Sequence, residues 1–110
     1  MSHKYGLSDN VITNINQVFS KFPEIEKVVL YGSRAMGNYR SGSDIDLAVF
    51  SNKIDYTKLL QIERKLDDLD LVYTIDLLIF QKLDNEESKK HILNSGKLFY
   101  KKSLPEIKLF

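Results

Sequence analysis

Between positions 32 and 46 the chain reads Gly32-Ser33-Arg34-Ala35-Met36-Gly37-Asn38-Tyr39-Arg40-Ser41-Gly42-Ser43-Asp44-Ile45-Asp46. A Gly-Ser pair stands at one end, an Asp-x-Asp at the other, with ten residues between them. On a strand, Asp44 and Asp46 leave the same face, roughly 6–7 Å apart along it. A third acid, Asp76, interrupts the apolar run Val72-Tyr73-Thr74-Ile75-Asp76-Leu77-Leu78-Ile79-Phe80. A carboxylate there is costly to bury without a partner. If its strand lies beside that of Asp46, three carboxylates converge, and a divalent cation relieves their repulsion. Mg²⁺ suits such a set, because it takes oxygen ligands from a few carboxylates and from substrate phosphates.

The glycine end offers the complementary chemistry. A strand-to-helix junction at Gly32 exposes backbone N–H groups that can cradle phosphate. The Ser33 hydroxyl can donate to a phosphate oxygen; Arg34 can add charge-assisted bonds or simply pack or pair with a helix, and Arg40, expected as a solvated loop residue, could add them as well. Ser43 can orient Asp44, which makes Gly32, Ser33, Arg34 and Ser43 the nucleotide-binding candidates. Phosphoryl and nucleotidyl transfer need this combination of positioning and charge neutralisation. Two metal ions roughly 3.5–4 Å apart would serve the attacking and leaving oxygens.

The flanking elements must hold these groups in place. Ser8 caps a predicted helix in which Val11, Ile12, Ile15, Val18, Phe19 and Phe22 recur at helical spacing. Pro23 ends it. Strands are predicted over residues 26–31, 44–50 and 71–80, with a short helical turn at 34–37 and a loop at 38–43. Residues 56–69 carry an apolar helical face. A helix follows at 85–95, with Gly96 at its C′ position, then a short strand at 97–101. Residues 103–110, with Leu104, Ile107, Leu109 and Phe110, form a tail able to pack on its own domain or dock a partner. Helices alternate with strands, so a sheet covered by helices is expected, in one domain spanning 1–110; the strand directions are not readable from this order.

Composition narrows the function classes. The 110 residues are 43% hydrophobic and 28% charged, with a net charge of +1. That fits one globular domain with a modest core, and gives no basic field for long nucleic acids. The absence of cysteine removes disulfides, thiolate metal sites and thiol nucleophiles. No apolar run is long enough to span a bilayer and no signal peptide is visible, so a cytoplasmic location without membrane contact is expected. His91, beside Lys89 and Lys90, could help favour a phosphate but is expected on a solvated helix face; Tyr31 and Tyr39 could stack on a base, with packing expected for Tyr31 and Tyr39 left open.

The 32–46 segment, together with Asp76, resembles the signature of the DNA polymerase β-like nucleotidyltransferase superfamily. Its Gly-Ser-Arg-Ala-x-Gly form is similar to the minimal nucleotidyltransferase branch. Many members of that branch are antitoxins encoded beside a HEPN-domain ribonuclease toxin. The resemblance implies class α/β (α+β) with a small mixed sheet flanked by helices, the nucleotidyltransferase fold, and transfer of AMP from ATP to a hydroxyl, such as a tyrosine of the HEPN partner. It implies that Gly32 and Ser33 bind phosphate. Asp44, Asp46 and Asp76 would be catalytic metal ligands for Mg²⁺, with Asp76 as the general base as well. Asp76 is favoured over the nearby Asp70 for its mid-strand position. Met36 departs from the pattern, since relatives often carry arginine there. Two other functions remain open: a binding antitoxin that blocks its partner without catalysis, and a transferase with a small-molecule acceptor.

Overall fold

The computed structural model describes residues 3–103. A two-residue-per-strand hairpin opens it, β1 (His3–Lys4) and β2 (Leu7–Ser8). Then come α1 (Asp9–Ser20), β3 (Lys27–Tyr31), α2 (Ser33–Met36), β4 (Ile45–Phe50), α3 (Tyr56–Asp67) and β5 (Ile75–Ile79). A 3₁₀ turn (Phe80–Lys82), α4 (Glu86–Ser95) and β6 (Lys97–Lys101) complete the order.

Helix starts follow their caps. The Ser8, Asp55 and Asn85 side chains accept from the backbone N–H groups of Val11, Lys58 and Ser88 at 3.2, 2.8 and 2.9 Å. Each cap satisfies one donor that the helix leaves unpaired.

The main sheet has the order β5-β4-β3-β6. β3 pairs antiparallel with β4 and with β6, while β4 and β5 run parallel. A parallel neighbour needs a crossover, and α3 supplies it. The sheet is therefore mixed, as the family resemblance implies.

Period-two alternation sorts β4 into two faces. Ile45, Leu47 and Val49 enter the main core with Ile15, Phe19, Ile62 and Leu66 from α1 and α3. Ala48 and Phe50 point the other way and pack with Ile92 of α4. Phe50 and Phe80 stack there, with centroids 4.3 Å apart. Each fully buried aliphatic or phenyl side chain contributes roughly 1.5–3 kcal/mol. Asp46 lies on this second, thinner face, where one helix covers only part of the sheet.

The structure departs from the sequence reading in four places. The hairpin was not anticipated: two-residue strands carry no readable periodicity. Its turn uses Tyr5 and Gly6, both at positive φ, as a type I′ turn requires. The third long strand is shorter than 71–80. Asp70 at φ 53° turns the chain, and Leu69 and Leu71 fold onto the main core before pairing begins at Ile75. Asp44 sits just ahead of β4 instead of within it. Gly96 has φ −70°, so it is not a left-handed stop. A β-carbon there would instead strike the Ile92 carbonyl and Val29, so close packing excludes any side chain. The apolar tail at 104–110 lies outside the described residues. Among the described residues, no helix is long and apolar enough to cross a membrane.

Candidate active site

Sheet register assembles the site. Tyr31, the last residue of β3, pairs with Asp46 of β4, and Asp46 pairs with Asp76 of β5. The two acids are therefore direct cross-strand neighbours on the face that carries α4. Asp44 stands two residues before Asp46, at the strand entrance. Asp46 is half-buried, whereas Asp44 and Asp76 are exposed.

Gly32 closes one side. It holds φ 77°, ψ −155°, and leads into the short α2. A β-carbon on Gly32 would lie 2.5 Å from Asp46 Oδ2. Both backbone conformation and space thus demand glycine, and the chain turns directly against the carboxylate. Ser33 follows as the first residue of α2, partly exposed beside that turn.

The electrostatics record the convergence. Burial, then the charges of Asp76 and Asp44, then hydrogen-bond contact with Asp76 push the Asp46 carboxyl above the usual carboxylate range. Burial and the charges of Asp46 and Asp76 raise the Tyr31 phenol to about 12. No basic side chain offsets these acids among the described residues. The ion pairs found there join Lys58 to Glu24 at 3.3 Å and Lys89 to Glu86 at 3.7 Å. An uncompensated all-oxygen carboxylate set fits Mg²⁺. As the side chains stand, no three acids or histidines among the described residues form a closed metal-binding group. Two carboxylates with phosphate oxygens and water match the way Mg²⁺ is normally held.

Of the two roles open to Arg34 from the sequence, phosphate contact and a structural one, the structure shows the second. It is only 2% exposed. Its Nε and Nη2 donate to the Ser43 carbonyl at 3.0 and 2.7 Å, and Nη1 donates to the Tyr5 carbonyl at 2.9 Å. The guanidinium lies 5.2 and 5.0 Å from the ring centres of Tyr39 and Tyr73, within cation–π range. With all three guanidinium nitrogens bonded to backbone carbonyls, Arg34 ties the N-terminal hairpin to the loop that delivers Asp44. Ser43 belongs to the same tie. Its carbonyl receives Arg34, and its hydroxyl accepts from the Arg40 backbone N–H at 2.8 Å. Ser43 thereby fixes the backbone immediately before Asp44. Arg40 itself is exposed on that loop.

The structure thus gathers Gly32, Ser33, Asp46 and Asp76 in one place, with Asp44 at the edge and Arg34 and Ser43 behind it. Sequence reasoning missed the tyrosine cage around Arg34. Only the Tyr5-Gly6 dipeptide hinted at a turn that could bring a carbonyl to it.

A sequence model for the polymerase beta nucleotidyltransferase family matches residues 13–104. The chain belongs to this family. It is a nucleotidyltransferase by that membership, and its fold recurs in solved structures. A chain of a toxin–antitoxin complex crystallised with AMP-PNP shares 24% identity and a TM-score of 0.65, over 86% of this chain and 74% of that one. A chain of the MntA–HepT toxin–antitoxin complex gives 20% identity and 0.63, over 86% and 73%. A third similarity is to a complex of the tri-AMPylated HEPN toxin of Shewanella oneidensis with its MNT antitoxin, at 21% identity and 0.57, over 83% and 72%. At these identities the likeness establishes the fold. No curated protein is significantly similar to the chain in sequence.

Proposed function

We propose that this nucleotidyltransferase transfers AMP from ATP to a protein hydroxyl, and that it acts as the antitoxin of a HEPN-domain toxin whose tyrosine is the acceptor. The observation that carries the chemistry is the cross-strand pairing of Asp46 with Asp76, backed by Gly32 and free of basic partners among the described residues. Support for ATP and for the partner comes from the fold's similarity to a toxin–antitoxin chain crystallised with AMP-PNP and to a complex holding an AMPylated HEPN toxin.

In this reading Gly32 and Ser33 receive the β- and γ-phosphates, and Asp44, Asp46 and Asp76 hold Mg²⁺. The bound ion would neutralise the acids and the triphosphate and polarise the α-phosphate. Asp76, the most open of the sheet acids, accepts the proton of the acceptor hydroxyl. That oxygen bonds to the α-phosphorus, the bond from the α-phosphorus to the bridging oxygen breaks, and pyrophosphate leaves. Burial and the two neighbouring acids raise the proton affinity of Asp46, and a bound cation would favour its ionised form.

Label transfer tests the reading. ATP labelled at the α-phosphate should mark the HEPN partner in the presence of Mg²⁺, and γ-labelled ATP should not. The double variant Asp44→Asn, Asp46→Asn should abolish marking. A double variant that still silences the toxin, with no label on it in the wild-type reaction, would replace catalysis with blockade by binding.

A further inference from the structure

β5 is an edge of the main sheet. β4 borders it on one side, and among the described residues no strand borders it on the other. The bond from the Ile45 N–H to the Thr74 carbonyl, 2.9 Å long, fixes the phase of its backbone groups. With Ile45 opposite Ile75 and Leu47 opposite Leu77, Thr74, Asp76 and Leu78 turn their backbone groups to β4. The direction alternates along a strand, so Ile75 and Leu77 turn their N–H and C=O groups outward.

Native sheets guard such edges with lysine, proline, a bulge or an inward charge. The strand Ile75–Ile79 has no lysine or proline, and its pairing with β4 runs without a register shift. Its one charge is Asp76, which is exposed.

Side-chain alternation gives this edge two faces. Leu78 packs on the side of α4, the side that Asp76 shares, while Leu77 and Ile79 pack on the main core. On the core side a cavity of about 220 Å³ opens beside the edge, with Tyr56 and Leu59 of α3, Leu77 and Leu83 among its walls. In a strand added antiparallel to β5, the residue opposite Asp76 exchanges no backbone bonds with it. Such pairs bring Cα atoms to roughly 4.5 Å, with the side chains at their closest. The next residue along points to the other face, over the cavity.

We propose that the edge of β5 docks the acceptor as an added antiparallel strand, with its hydroxyl residue opposite Asp76 and an apolar residue immediately before it, opposite Leu77, seated at the cavity. The inference rests on the nucleotidyltransferase reading, in which Asp76 takes the proton of the acceptor hydroxyl. The outward groups of Ile75 and Leu77 hold the acceptor's backbone whatever its sequence, and the cavity selects the apolar neighbour. A second copy of this chain is the competing occupant. Pairing two β5 strands antiparallel would set two Asp76 side chains on one face, directly opposite or diagonal, where like charges repel. A neutral acceptor segment meets no such penalty.

The test uses the full chain with Mg²⁺, ATP labelled at the α-phosphate, and the capped peptide Thr-Lys-Val-Ile-Tyr-Val-Lys-Thr. One derivative is N-methylated on the two residues flanking the tyrosine, whose N–H groups face β5 in this docking. A second is N-methylated on the tyrosine and on the lysine after it by two, whose N–H groups face away. The first should lose at least about tenfold in kcat/KM, mostly in KM, for two hydrogen bonds removed. The second should stay within about threefold of the parent peptide. Leu77→Pro removes an outward N–H and none that pairs with β4, a position where an edge strand accepts proline. It should lower kcat/KM for the parent peptide at least about fivefold and leave AMP-PNP affinity, measured by calorimetry, within about twofold.

Equal effects of the two methylation patterns would overturn the docking mode and leave the chemistry intact. So would a labelled HEPN partner beside an unlabelled parent peptide. A dimer of the unaltered protein that Leu77→Pro dissolves, with peptide labelling gained, would give the edge to a second copy. No AMP-PNP binding and no label on either peptide or partner would instead remove the reading on which the proposal stands.

Discussion

Replacing Arg34 separates a phosphate ligand from a structural tie. In Arg34→Met the carbonyls of Ser43 and Tyr5 lose three donors at 2.7–3.0 Å. A buried carbonyl left unpaired costs roughly 1–3 kcal/mol, so two of them cost roughly 2–6 kcal/mol. The methionine side chain recovers part of the packing, and a net loss of about 3 kcal/mol is expected. For a domain of this size that lowers Tm by roughly 12–24 °C. Arg34→Lys keeps the charge, yet one ammonium cannot reproduce the fork on Ser43 while reaching Tyr5, so about half that loss should remain. Urea and thermal unfolding followed by circular dichroism, without nucleotide, read both changes. Tripolyphosphate affinity, measured below the lowered Tm, should fall only slightly. A variant with wild-type stability and a tenfold loss of tripolyphosphate affinity would refute the structural assignment and return Arg34 to the phosphates.

Two further outcomes follow from the same geometry. Gly32→Ala forces a β-carbon against Asp46 Oδ2 at a backbone angle hostile to side chains; it should cost about 1–3 kcal/mol and at least about a hundredfold in transfer rate, read by denaturation and α-label transfer. The folded-state pKa of Asp46 is raised, so the folded protein holds this proton longer than the unfolded chain does. Stability from that group is present below the unfolded pKa and is lost as pH rises through the folded one. In chelator, Asp46→Asn should therefore stabilise the protein at pH 7 and make little difference near pH 3, measured by urea midpoints. A destabilised Asn variant at pH 7 would mean that the acids do not repel.

The sequence made much of this site legible because its determinants are local. The Gly32-Ser33 turn and the Asp44-Ile45-Asp46 spacing are set by adjacent residues, and each sits within a residue or two of its expected element. The placement of Asp76 opposite Asp46 is non-local. It depends on a parallel pairing across α3, which strand pattern alone cannot reveal. Arg34 shows the opposite limit. Its charge and its place after Gly-Ser suggest phosphate, but its partners are carbonyls 9 and 29 positions away, and a backbone carbonyl has no signature in residue type. His91, expected on a solvated face beside Lys89 and Lys90, is partly exposed, next to Ile92, which is buried against Ala48 and Phe50.

The most direct test of the account is intact mass of the HEPN partner after incubation with the protein, ATP and Mg²⁺, with pyrophosphate measured in the same reaction. The expected result is a mass gain in whole adenylate units, one pyrophosphate per unit, lost in chelator and in Asp44→Asn, Asp46→Asn. An unmodified partner in a tight complex, with no pyrophosphate released, would contradict it.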